Sequence, residues 1–159
     1  MECIEDILCK NGVKKLLTVP CTILSEYFYK NTIETIYLSK EEEGVGIASG
    51  LTIAKEKPVM IIQNSGLGNC INAFASLCNP YKIGFLVIVS MRGDELEDNP
   101  VQIPMGNATK TLISSLDCEY YTFNKEEQFS TTIQKGLNKI QETNKPVFIL
   151  LPRKDHFNK

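Results

Sequence analysis

Three uninterrupted apolar runs constrain this chain more than any other feature: Val59-Met60-Ile61-Ile62, Phe85-Leu86-Val87-Ile88-Val89 and Val147-Phe148-Ile149-Leu150-Leu151. Each has the length of a strand, and none alternates apolar with polar residues. Strands of this kind are buried on both faces, as in parallel sheets covered by helices. Residues 16–19, 35–38 and 120–123 read as three further strands. Helical patterns lie between them at residues 4–10, 23–30, 43–55, 70–78, 109–116 and 125–142. The last is the clearest, with Phe129, Ile133, Leu137 and Ile140 at helical spacing. The alternation predicts an α/β fold of three layers, with a mainly parallel six-stranded sheet flanked by helices. At 159 residues the chain can bury a full core, and residues 1–159 are read as one domain.

In such sheets ligands bind beyond the carboxyl ends of the strands. The segments that leave those ends are Pro20-Cys21-Thr22 and residues 39–43, 64–69 and 91–107. Composition narrows what they can do. The net charge is −2, from 17 basic and 19 acidic residues. No basic stripe interleaves with aromatics, so no nucleic-acid partner is expected. No apolar run approaches the roughly 20 residues of a membrane helix, and the acidic N-terminus lacks a signal peptide's basic start. A cytoplasmic protein without membrane contact is expected. Cys3, Cys9, Cys21, Cys70, Cys78 and Cys118 form no CxxC pair and fit neither a metal site nor a disulfide framework. They read as small buried thiols of a reducing compartment, although Cys21, after a strand and a proline, is placed to line a cleft. The single histidine, His156, is in the tail, so chemistry that needs a core histidine has no candidate.

Three segments can carry chemistry. In the first, Glu41-Glu42-Glu43 opens a helix that continues Gly44-Val45-Gly46-Ile47-Ala48-Ser49-Gly50. The helix dipole accounts for carboxylates at such a start. It does not account for the glycines, each of which costs on the order of 1 kcal/mol in a helix. Close approach of a partner or a cofactor ring would.

The second segment, Gln63-Asn64-Ser65-Gly66-Leu67-Gly68-Asn69, follows a buried strand. Ile71 stands where a dinucleotide fingerprint needs its third glycine, and no lysine follows as in a P-loop. A polar turn against a ligand fits better, and a plain strand-to-helix turn capped by Asn69 is the alternative.

The third, residues 90–107, is long for a compact α/β domain, and long loops are often functional. Its acidic middle reads as solvated. Arg92, at a strand end, can pair bidentately with a carboxylate, sulfonate or phosphonate, or form a structural salt bridge. Gln102 lies further along the loop, and Lys110, just beyond it, is a weaker anion-binding candidate.

Together these segments resemble the pyrimidine-binding domain of thiamine diphosphate enzymes, in which a glutamate opens a helix and a glycine follows nine positions later. Glu41 and Gly50 have that spacing. The nearest likenesses are the alpha subunits of sulfopyruvate decarboxylase and the N-terminal part of phosphonopyruvate decarboxylase. They rest on Val19-Pro20-Cys21, residues 41–50, the Gln63–Asn69 segment, Arg92-Gly93-Asp94 and Gln102-Ile103-Pro104-Met105-Gly106. The last of these and the acidic run tilt the likeness toward the sulfopyruvate enzyme.

The resemblance implies thiamine diphosphate as cofactor, with Glu41 bonded to N1′ of its aminopyrimidine. It implies that Pro20, Asn64, Ser65, Gly66, Leu67 and Asn69 contact the cofactor, and that Arg92, Cys21, Gln102 and Lys110 contact a small anionic 2-oxo acid. Sulfopyruvate would yield sulfoacetaldehyde and carbon dioxide, as in coenzyme M biosynthesis. A phosphonopyruvate decarboxylase subunit and a non-catalytic cofactor-binding module are the alternatives. The family's GDG…N motif, which holds Mg2+ and the diphosphate, is absent; Gly93-Asp94 is followed by Glu95. No metal ligands are therefore assigned to this chain. Mg2+ is expected on a separate beta subunit that carries the motif, in a hetero-oligomer, rather than on a missing C-terminal half.

Overall fold

The computed structural model describes residues 4–21, 32–94, 97–124 and 128–152. The three apolar runs are the middle of its sheet. β3 (Pro58–Gln63), β4 (Leu86–Ser90) and β6 (Val147–Leu151) are buried at every position except half-buried Gln63. They are flanked by β1 (Lys15–Thr18), β2 (Glu34–Tyr37) and β5 (Glu119–Thr122). The order is β2-β1-β3-β4-β6-β5, and every pairing is parallel. The expected sheet is thus wholly rather than mainly parallel among the described residues. β2 and β5, at the two edges, are exposed at both ends, which suits strands with one neighbour each.

Strict alternation splits the core between two faces. Leu17, Met60, Ile62, Val87, Val89, Phe148 and Leu150 face helices α2 (Glu41–Ile53), α3 (Asn64–Ala73) and α4 (Ile103–Ser115). Leu16, Val59, Ile61, Leu86, Ile88, Ile149 and Leu151 face α1 (Ile4–Lys10) and α5 (Phe129–Thr143). A side-chain period of two along each strand makes this division automatic once both faces are covered. Phe74 stands edge-on to Phe148 at 5.2 Å on the first face, and Phe123 to Phe129 at 5.0 Å on the second.

Three helices begin earlier than their sequence pattern predicts, α2 by two residues and α3 and α4 by six. The polar segment after β3 is not a turn: α3 starts at Asn64, with Gln63 in the cap position, so Asn69 lies inside the helix rather than capping it. The helix continues through a π-helical turn, Phe74–Cys78, to a closing turn, Asn79–Tyr81. α4 starts at Ile103 behind a 3-10 turn, Pro100–Gln102, which shortens the expected loop. Pro104 looked like loop, but a proline in the first helical turn lacks only an N–H that would have no partner there. The expected helix at residues 23–30, the first turn of the one at 125–142, Cys3 and His156 lie outside the described residues. Among those described, no helix is long and apolar enough to cross a membrane.

Register sets where the site falls. Gln63 pairs with Ser90, and Ser90 with Leu151, so β3, β4 and β6 end level. The chain leaves β1 for β2 on one side and later returns to β3 on the other. This reversal is the switch point of the sheet, and the crevice at which ligands of open α/β sheets bind is expected there, beyond the ends of β1 and β3.

Candidate active site

The three glutamates of α2 have three different surroundings. Glu43 reaches back and accepts the backbone N–H of Ser39 at 3.2 Å, a helix-start bond. Glu42 is exposed. Glu41 is half-buried, and among the described residues its carboxyl has no hydrogen-bond or ion-pair partner. It lies over the first turn of α3, where a Cβ on Gly66 would fall inside the Glu41 carboxyl group. Gly66 is therefore the close approach that brings α3 under this side chain. Cys70, one turn further on, donates to Gly66 O at 3.3 Å. Burial, and then the charges of Glu41 and Glu42, push its thiol up to about 12, so it stays protonated and inert behind the carboxylate.

The glycines of α2 also divide. A Cβ on Gly44 would meet Leu38 Cδ1 at 2.6 Å and Met60 Cε at 3.0 Å, so Gly44 seats the helix on the sheet. Gly46 and Gly50 face outward: a Cβ on either would meet nothing within 4 Å among the described residues, beside exposed Ile47 and Ile53.

The two sequence segments that follow β3 and β4 interlock. Asn64 is fully buried; its amide nitrogen donates to Arg92 O at 2.9 Å and Thr109 Oγ1 at 3.1 Å, and its oxygen accepts Arg92 N at 3.2 Å. Gly93 has a φ of +84°, and a Cβ there would collide with Gln102 O. A Cβ on Gly106 would collide with Gly93 O in turn. A Cβ on Gly68 would rest on Met105 Cε at 3.4 Å. Arg92-Gly93 and Gln102–Gly106 are thus two halves of one backbone contact, tied to α3 by Asn64.

Arg92 is not an open cation. Its Nε donates to Glu97 Oε2 at 2.6 Å and its Nη2 to Glu97 Oε1 at 2.5 Å. Glu97 also accepts Gly93 N at 3.0 Å and Asn99 N at 3.2 Å, and its side chain is fully buried. Hydrogen bonding to Arg92 holds the Glu97 carboxyl far below the usual carboxylate range, and the same bonds raise Arg92. The acidic loop middle is therefore not uniformly solvated. Nothing in an Arg-x-x-x-x-Glu spacing announces this pair, because the spacing matches no regular period that would set the two side chains together.

The remaining expected site residues are scattered. Ser65 and Asn69 are exposed on α3, and Gln63 Nε2 donates to Ser65 Oγ at 2.7 Å. Pro20 is exposed at the β1 exit, and Cys21 Sγ lies 3.5 Å from Ser90 Oγ. Leu67 is fully buried in the core beneath α3, so its side chain serves packing. The Asn64 side chain is committed to the scaffold, and Gln102 contributes its carbonyl to the contact with Gly93. Lys110 is not at this end: its Nζ stands 6.0 Å over the ring of Tyr120 on edge strand β5. An exposed lysine three residues past the loop turns with its helix, and that turn points it away from the strand ends. Among the described residues no group of three or more His, Cys, Asp or Glu side chains is arranged to hold a metal.

No model of a protein family matches the chain. The chain is 35 % identical over 154 residues to the sulfopyruvate decarboxylase alpha subunit of Methanococcus maripaludis, covering 94 % of this chain and 92 % of that one. It is 34 % identical over 152 residues to the subunit of the same name from Methanocaldococcus jannaschii, covering 92 % and 89 %. A phosphonopyruvate decarboxylase of Streptomyces viridochromogenes is 34 % identical over 114 residues, covering 69 % of this chain and 29 % of that one. Among solved structures, a Mycobacterium smegmatis protein assigned to the thiamin diphosphate-dependent enzymes superposes with a TM-score of 0.77 at 13 % identity, over 94 % of this chain and 30 % of that one. A thiamine diphosphate-dependent 4-hydroxybenzoylformate decarboxylase of Rhodococcus jostii superposes with a TM-score of 0.71 at 16 % identity, over 94 % and 29 %. The fold is that of thiamin diphosphate-binding domains, and the chain belongs to the family of sulfopyruvate decarboxylase alpha subunits.

Proposed function

We propose that this chain is the alpha subunit of a thiamine diphosphate-dependent decarboxylase that converts sulfopyruvate to sulfoacetaldehyde and carbon dioxide. The observation that carries the reading is Glu41: a half-buried carboxyl at the crevice, without an internal partner among the described residues, held over a glycine that no other residue could replace without displacing it. These residues fit an aminopyrimidine ring, which needs one carboxyl donor–acceptor and a close, flat approach. Thiamine diphosphate, when bound, supplies the electron sink that lets the carboxyl group of a 2-oxo acid leave as carbon dioxide.

The chain's own part is to hold a proton at one place. Glu41 hydrogen-bonds N1′ of the ring, and Gly66 keeps the carboxyl where it can do so. Exposed Pro20, Ser65 and Asn69 border the ring, while Asn64 and Leu67 act from beneath by fixing α3. Arg92 receives the anionic head of the substrate at the end of β4, with Cys21 beside it. The Mg2+ and the diphosphate belong to a beta subunit carrying GDG…N. That subunit covers the outward face of α2, where Gly46 and Gly50 leave room for close helix contact.

The test is steady-state kinetics of the assembled alpha–beta pair. Glu41→Gln should lower kcat by about 100-fold or more, the usual scale for a lost acid–base group, with the pair still assembled by gel filtration. Near-normal turnover in that variant would remove Glu41 from the mechanism. Phosphonopyruvate assayed beside sulfopyruvate decides which anion the pair prefers.

A further inference from the structure

At the end of β4 the Arg92 guanidinium is gripped on one side by this chain's own carboxylate, Glu97. A guanidinium is planar and has two edges that can each take a bidentate partner. Glu97 takes the edge made by Nε and Nη2. Among the described residues none accepts a hydrogen bond from Nη1. Asp98 stands 3.9 Å from Nη2 and is largely exposed, so it does not close the second edge. The Arg92 side chain keeps 23 % of its surface open.

Glu97 has two possible relations to a substrate anion at Arg92. As a competitor it would have to leave when the anion binds. As a positioning residue it would stay and aim the open edge. Its other bonds decide between them. Its donors include the backbone N–H groups of Gly93 and Asn99. Displacing Glu97 would strand the partly buried Gly93 N–H and break both charge-assisted bonds to Arg92, which is costly. Gly93 in turn is pinned against Gln102 and Gly106. The carboxylate is part of the loop's framework, not a plug in it.

We infer that Glu97 is a positioning residue for substrate binding: it grips one edge of Arg92 and presents the edge bearing Nη1 to the sulfonate or phosphonate head of the 2-oxo acid. The inference rests on the reading of Arg92 as the substrate's anion ligand. It assigns Glu97 a role in specificity although it never touches the substrate. Arg92 and Glu97 cancel in charge and Asp98 adds a negative charge 3.9 Å from Nη2, so recognition depends on aimed hydrogen bonds more than on bulk attraction.

The test compares KM and kcat for sulfopyruvate in the assembled pair carrying wild-type chain, Glu97→Gln, Glu97→Asp, Arg92→Ala or the double variant Arg92→Ala/Glu97→Gln. Glu97→Gln keeps the shape but puts an amide N–H against a donor. It should raise KM by about 10-fold with kcat within about threefold, the pattern of lost ground-state binding. Glu97→Asp, which keeps a carboxylate, should fall between it and wild type. The double variant should be no worse than Arg92→Ala alone, because both lose the same contact. If Arg92→Ala raises KM but Glu97→Gln leaves it unchanged, Glu97 does not position Arg92 and the inference fails while the substrate ligand stands. A lowered KM in Glu97→Gln would show a competitor and overturn it equally. If Arg92→Ala itself leaves KM unchanged, Arg92 is not the anion ligand and both readings fall. Should Glu97→Gln fail to assemble, Glu97→Asp decides: raised KM with preserved kcat supports the inference, and unchanged KM overturns it.

Discussion

Gly66 shows how much one residue's missing side chain can decide. It lies in the first turn of α3, where alanine is favoured over glycine by about 1 kcal/mol. The atoms that its Cβ would strike are Cγ, Cδ and Oε1 of Glu41, the far end of a flexible side chain rather than backbone. Gly66→Ala should therefore leave the thermal midpoint unchanged or slightly raised, and still reduce turnover of the assembled pair at least tenfold by turning the Glu41 carboxyl away. A variant that melts like wild type and also turns over like wild type would show that the carboxyl's present position is not the working one. Glu41 itself was legible in the sequence only through a resemblance, because a helix dipole welcomes all three glutamates alike. Their separation into a helix-start group, an exposed group and a half-buried group over α3, with no partner among the described residues, is a property of the packed structure.

At the scale of elements, the glycines that matter are those where backbone meets backbone. Gly93 sits at positive φ against Gln102, and Gly106 sits against Gly93, so β4's exit and α4 touch with no side chain between them. Gly106→Ala has no flexible neighbour to push aside. It should destabilise the chain by about 2–4 kcal/mol, the scale of overpacking a tight contact plus local strain, measurable as a lower denaturation midpoint. The contrast with Gly66→Ala, where activity and stability separate, is the check on both. The strands were largely legible, since uninterrupted apolar runs leave few other options. Helix starts were less so. α3 and α4 begin within segments whose Asn, Ser, Gly and Pro content reads as turn, because propensity is a weak guide where tertiary contacts such as Asn64 to Thr109 hold the first turn in place.

At the scale of the whole molecule, the outward face of α2 is apolar and uncovered. A Cβ on Gly46 or Gly50 would meet nothing within 4 Å among the described residues, and Ile47 and Ile53 beside them are exposed. Gly50→Trp should be harmless to this chain alone, with no loss of thermal midpoint, since open space receives the ring. In a pull-down with the beta subunit the same variant should lose most of its binding, since close helix contact needs the small residue. Retained binding would place the interface elsewhere.

The sequence by itself determined the layered architecture. Long apolar runs must be covered on both faces, and alternation with amphipathic helices then leaves a parallel sheet with its ligand edge at the strand ends. It did not determine which charges are free. Arg92 lies at that edge as its position in the sequence implies, but Glu97, five residues on, grips its guanidinium, and Lys110 is carried off to Tyr120 by the turn of its helix. Periodicity encodes which way a side chain points within a regular element. Loop backbone has no period, so partners across it are settled only when the chain closes on itself.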